Sequence, residues 1–578
     1  MTMKKHQLNI LGLAAIAALG LSSCTGLNKM SKKEALVKYS VTPNPLEMHG
    51  DSVAVTISVN YPAKYFGKKV ILNVTPECGG KKFKSVTLLG EKAVGTGTKI
   101  NYKTGGSYTY TDKVFYTPEM KDADLKVTAT GNVKNKSKEM PARVVGHGTI
   151  ITPYLLKNDD KPIIGKDKFE KTTPQVIDGT NFFVISTSTY TPAGSMDEKK
   201  NPSIKPVKDF IAANAKNPNM RFDNITISSY ASPDGEDAAN GKLAEDRFKK
   251  TSGDLKTLAK DNKNPIPGGD KDEFYKKERV EVDWNGFKSA VSASSIKDKQ
   301  IILNVVGAAP DASKMQEIKN MSETYEELKT GILPQLRRST ITINATKFNR
   351  TDEQILKLAR STADSLSVEE ILYAATLTTD MNEKLTFYKS AERMYPSDWR
   401  TSNNVGCILL MQNKLQDAKG AFDRAAKNSA NNPIIMNNQA ICMRWEGDRK
   451  TAKETLEKSK AAGPEVSYNL GIIAVQDGKY EDAVGAFGAN KTFNAALAKV
   501  LANDLEGALA TIDASPEKED ALSYYLKAIV GARKGNKEMM INNLQTAISK
   551  DPSLKEKAKS DVEFLKYRGD SEFDNLVK

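Results

Sequence analysis

Histidine and cysteine are scarce: three histidines and four cysteines in 578 residues. Beyond residue 23 only His49 and His147 remain, far apart and each beside glycine. A histidine-based metal centre, or a serine or cysteine triad, needs a set of companions that this pair cannot assemble. No CxxC occurs, which excludes the usual zinc and dithiol motifs. HExxH, GxSxG and GxxxxGK[ST] are absent as well. Asp234-Gly235-Glu236-Asp237 is acidic but lacks the spacing of a calcium loop. Cys407 and Cys442 fall inside apolar helical patterns and read as small buried hydrophobes. The chain therefore reads as a binding protein without metal or cofactor, and not as an enzyme.

Long apolar runs are also missing, apart from one at the start. Lys4 and Lys5 precede an uncharged stretch from Leu8 to Leu21, which ends in Leu21-Ser22-Ser23-Cys24. The stretch is too short for a membrane span, which needs about 20 apolar residues, and reads as a signal-peptide core. Its end resembles the lipobox of bacterial lipoproteins. That resemblance implies a signal peptide over 1–23 and lipidation at Cys24, leaving an outer-membrane lipoprotein. Each buried CH₂ of an acyl chain contributes about 0.8 kcal/mol to anchoring. The formal charge of +14 falls to +12 without Lys4 and Lys5. An exported chain does not meet nucleic acid, so the basic excess reads as solubility.

The length suggests three or four domains. Residues 24–34 read as a tether. From Val37 apolar and polar residues alternate, as in Ser52-Val53-Ala54-Val55-Thr56-Ile57-Ser58-Val59 and Leu125-Lys126-Val127-Thr128-Ala129-Thr130. Turn residues separate these runs, which predicts a β-sandwich over 35–155 with an immunoglobulin-like topology as the default. Residues 156–180, rich in lysine, proline and aspartate, read as a linker. An α/β domain with a helical insertion follows over 181–350, its first strand expected from Asn181 to Thr189.

Within it stand Ser229-Tyr230-Ala231-Ser232-Pro233-Asp234-Gly235, then Asn240, Leu243 and Arg247, and Leu336-Arg337-Arg338 before the last strand. This pattern resembles the OmpA-like domain of envelope cell-wall binders, and the insertion with Asp283-Trp284-Asn285-Gly286-Phe287 and Ile332-Leu333-Pro334 resembles a version common in Bacteroidota. The resemblance implies peptidoglycan binding, with an aspartate and an arginine holding zwitterionic diaminopimelate. Arg247 stands at the arginine position and Ser232 where the aspartate belongs; Asp234, two residues on, is the substitute. Arg247 can equally brace the domain.

From 351 to 578 the chain reads as an all-α repeat. Gly406, Asn413, Ala418, Phe422 and Ala425 recur as Ala440, Gly447, Ala452 and Leu456, then as Gly471, Gly478, Ala483 and Phe487. This resembles the tetratricopeptide family and implies a solenoid of five to six helix pairs whose first-helix groove is open to protein partners. Asn404, Asn438 and Asn469 share one register, with Asn403 and Asn437 beside the first two. Such a ladder can bind a peptide main chain or tie neighbouring helices together. The reading is a lipid-anchored, periplasm-facing scaffold that binds envelope proteins through its repeats and reaches peptidoglycan. Thr25-Gly26-Leu27-Asn28-Lys29 lacks the acidic cluster resembling a surface-export signal. The alternative is a surface-displayed accessory lipoprotein of a nutrient-uptake or adhesion system.

Overall fold

The computed structural model describes residues 26–260, 265–308 and 310–578. The signal peptide and Cys24 lie outside the described residues. Two compact units result: residues up to 165 together with 392–578, and residues 166–391.

In the first unit the alternating segments form two sheets. Ser52–Tyr61 pairs antiparallel with Lys38–Thr42 on one side and Gly106–Phe115 on the other. Ile71–Cys78 pairs with Val86–Gly90 and Asp124–Val133. Period-two alternation puts Val53, Val55, Ile57 and Val59 on one face, where they share a core with Leu72, Val74, Leu125 and Val127 of the other sheet.

The helical part of this unit contains five antiparallel pairs, whose first helices are Trp399–Met411, Pro433–Trp445, Pro464–Gln476, Phe493–Leu501 and Ala521–Arg533, followed by short helices over Leu554–Lys559 and Ser571–Leu576. Each turns into its second helix through a residue of positive φ: Asn413, Gly447, Gly478, Asn503 and Gly535. Small residues in the first helix admit large ones from the second. A Cβ added at Gly406 would stand 2.5 Å from the Phe422 ring, and one at Gly471 2.9 Å from Phe487. Antiparallel helix pairs that interlock in this way are what the resemblance to the tetratricopeptide family implied.

Sheets and repeats pack as one body. Tyr480 donates to the Met48 carbonyl at 2.9 Å, Arg449 pairs with Asp51, and Thr152 donates to Glu563. Arg568, near the C-terminus, donates to Asp122 at 2.7 Å. Asp122 also faces Nε2 of His147 at 2.9 Å, while Nδ1 faces Asp124 at 2.8 Å. The hydrogen bond to Asp124 leads in raising the His147 pKa, joined by the bond to Asp122 and both charges, against the opposing effect of burial. A folded pKa above the unfolded value of about 6.5 stabilises fully below that pH and fades as pH rises through the folded value. The melting temperature of the wild type should therefore exceed that of His147→Gln most near pH 6, and the gap should close on the alkaline side. A gap that does not change with pH would contradict the bridge.

The second unit holds a four-stranded sheet in the order Thr172–Phe182, Arg338–Phe348, Met220–Ala231, Tyr275–Val282, with only the last pair parallel. Ile225, Ile227, Ile341 and Ile343 meet Val207, Ile211 and Leu255 of the covering helices. The segment between the last two strands in sequence builds its own small core from Phe287, Val291, Ile302, Leu328 and Leu333. The first strand differs from expectation, ending at Phe182 and beginning at Thr172, inside the stretch read as a linker. Pro174 and Asp178 are tolerated because this is an edge strand with one hydrogen-bonding side unpaired by the sheet. The helices Asp352–Ser361 and Val368–Ala374, read with the solenoid, group with this unit.

Candidate functional site

The first-helix groove of the repeats is not open. The chain's own residues 157–165 lie in it, extended. Asn438 Oδ1 accepts the N–H of Ile163 at 2.8 Å and its Nδ2 donates to the carbonyl of the same residue at 2.9 Å. Asn404 does the same to Gly165 (2.7 and 2.9 Å), and Asn469 to Lys161 (2.8 and 3.1 Å). Alternate residues of an extended chain present both backbone groups to one side, about 6.6–6.8 Å apart, so these three successive repeats are separated by two-residue steps along it. A fourth member, Asn494, holds Lys157 at 2.9 Å through both groups and also donates to Asp159 at 2.6 Å.

The ladder ties helices together as well. Asn438 Nδ2 donates to Asn403 Oδ1 at 2.8 Å, and Asn469 Nδ2 to Asn437 Oδ1 at 3.0 Å. All six asparagines are buried. A buried amide left unpaired costs about 1–3 kcal/mol, so an empty groove would leave this row of polar groups for water or a ligand to satisfy. The intramolecular segment meets that demand, which corrects the expectation of a free recognition face.

Side chains fix the segment further. Asp160 accepts from Arg444 Nε and Trp445 Nε1, both at 2.8 Å, and its pair with Arg444 is 2–3% exposed. Asp159 accepts from the Tyr468 hydroxyl at 2.5 Å. Lys161 Nζ lies 4.7 Å from the Tyr468 ring centre. Lys157 lies equally close to Phe493 and pairs with Glu517 at 2.9 Å. Ile163 packs on the cluster of Ala440, Leu456, Val466 and Ile473, and the Cys407 thiol, its pKa pushed up by burial, donates to the Ile163 carbonyl at 3.3 Å. At Gly165 a Cβ would come within 2.8 Å of Arg400 and 3.2 Å of Trp399.

The other sequence-derived candidates lie in the second unit. Arg247 is fully buried; it donates to the carbonyls of Tyr230 (2.7 Å), Thr187 (3.2 Å) and Val184 (3.4 Å) and stacks on Phe183. Burial, and then the charge of Arg337, push its pKa down to about 10, against the pull of Asp234. Asp234 takes Arg337 at 3.2 Å and the Ser232 hydroxyl; Asn240 donates to the Ser232 carbonyl at 3.1 Å. These four residues share one neighbourhood, but their polar groups are engaged with the protein itself.

Asp160, Arg444, Trp445, Tyr468 and Asn494 escaped the sequence reading. Asn494 had a signal: like Asn404, Asn438 and Asn469, it stands seven residues before the last residue of its helix.

No family model matches this chain, and no curated protein does. Solved structures with some likeness include YrrB, a TPR protein with an unusual peptide-binding site. It is 17% identical over 35% of this chain and 94% of its own, with a TM-score of 0.20. PilF of Pseudomonas aeruginosa is 14% identical over 37% of this chain and 99% of its own, with a TM-score of 0.27. A tetratricopeptide repeat protein from Parabacteroides merdae is 14% identical over 42% of this chain and 98% of its own, with a TM-score of 0.28. At these scores neither ligand nor partner carries over, and the repeat assignment stands on the helix pairs themselves.

Proposed function

We propose that this chain is a lipid-anchored outer-membrane scaffold of a Bacteroidota envelope, facing the periplasm and working by binding protein rather than by catalysis. The observation that carries this reading is the ladder. Asn404, Asn438, Asn469 and Asn494 each give both amide groups to a single residue of an extended chain, a geometry that recognises polypeptide main chain. The leader ending at Cys24 supports the anchor, and the OmpA-like pattern around Asn240 and Arg247 supports a role near peptidoglycan. Because Arg247 and Asp234 already have protein partners, peptidoglycan binding requires that some of these bonds be exchanged.

Two arms test the proposal. Cys24→Ala should move the protein out of the membrane fraction or leave it unprocessed; unchanged size and membrane partition would remove the anchor from the account. In-cell cross-linking of the wild type should recover defined envelope proteins, and their absence would remove the scaffold role. Co-sedimentation of the full chain with isolated peptidoglycan at low salt, compared with Ser232→Asp, decides whether the α/β domain takes part.

A further inference from the structure

We infer that residues 157–165 are a resident ligand, and that the same groove accepts in trans an extended peptide of a partner protein with matching side-chain chemistry. This rests on the scaffold reading above and names the partner's class. Ladder bonds go to main chain and so set direction and register; the side-chain contacts select the sequence. Position 160 requires a carboxylate, held by Arg444 and Trp445. Position 161 suits a cation over Tyr468, and position 163 an apolar residue against Ala440, Leu456 and Val466. Position 165 admits glycine, since a Cβ there meets Arg400 and Trp399. Four residues upstream of 161, a second cation meets Phe493, Glu517 and Asp520. The partner is therefore an extended segment running acid, cation, any, apolar, any, glycine.

The segment can leave without unfolding the repeats. Residues 156–164 are half-buried or exposed, so they lie along the groove and not beneath it. The helices keep their own backbone bonds, and the Asn438–Asn403 and Asn469–Asn437 bonds hold the emptied ladder in register. Attachment within one chain gives the resident segment an effective concentration in the millimolar range, roughly, against which an incoming peptide competes.

The test is fluorescence anisotropy of a labelled peptide of residues 155–166 with the full chain. The wild type should bind it weakly. Asp160→Ala with Ile163→Ala, which loosens the resident copy but leaves the groove intact, should bind at least tenfold tighter. Gly165→Ala is the milder alternative should the double variant not fold, and should shift affinity the same way. Adding Arg444→Ala to either should abolish the gain. If the Asp160→Ala/Ile163→Ala and Gly165→Ala variants are folded by circular dichroism and melting and yet bind the peptide no tighter than wild type, the inference is overturned. Concentration-dependent dimers that exclude the peptide would overturn it too, assigning the groove to a second copy of the chain. Purified components decide this result, so a chain that takes the peptide but cross-links to no envelope protein would keep this inference and lose the scaffold reading.

Discussion

Replacing Asn404, Asn438 and Asn469 together with alanine is expected to free residues 161–165 and lower the melting temperature of the unit that contains them. Six hydrogen bonds to the segment disappear, two per asparagine. At about 0.5–1.5 kcal/mol net each they sum to about 3–9 kcal/mol. The lower end applies to Lys161 and Ile163, which are half-buried and can exchange their lost partners for water, and the upper end to Gly165, which is buried. The four bonds shared with Asn403 and Asn437 vanish as well, leaving buried amides beside the gap. Protease cutting between 157 and 165 should rise in parallel. Unchanged melting with unchanged protection would mean that the ladder bonds contribute nothing.

Asp160→Ala should cost about 3–5 kcal/mol, the range for removing one partner of a buried ion pair. Arg444 would keep its 3.1 Å bond to Asn158 but lose the carboxylate at a site only 3% exposed. Removing both charges, as Asp160→Leu with Arg444→Met, should recover much of that loss, since apolar replacements leave no buried charge without a partner. Denaturant titration separates the two cases. If single and double variants are equally destabilised, the pair acts through packing and not through charge.

The helix pairs and the ladder were legible because their signals are local. Gly406 and Phe422 recur as Ala440 and Leu456 and again as Gly471 and Phe487, and Asn404, Asn438 and Asn469 repeat in register. The alternation from Ser52 to Val59 likewise announced a strand. What fills the groove was not legible. Residues 156–180 have the lysine, proline and aspartate content of a solvated linker, and the asparagines that hold residues 157–165 stand from 239 to 337 residues away. Extended chain bound by side chains has no periodic apolar signature of its own beyond Ile163. The edge strand from Thr172 hid for the same reason: its regularity comes from the Arg338–Phe348 strand it pairs with. Around Arg247 the sequence pattern located the cluster, but it could not reveal that the guanidinium is taken up by the carbonyls of Val184, Thr187 and Tyr230.

Site-resolved hydrogen exchange on the intact chain tests the occupied groove most directly. With the segment bound, the amides of Lys161, Ile163 and Gly165 should exchange at least about a hundredfold slower than in an unstructured peptide of the same sequence, corresponding to an opening free energy of about 3 kcal/mol or more. That protection should disappear in the triple alanine variant. Exchange of all three amides at the unstructured rate in the wild type would contradict the account.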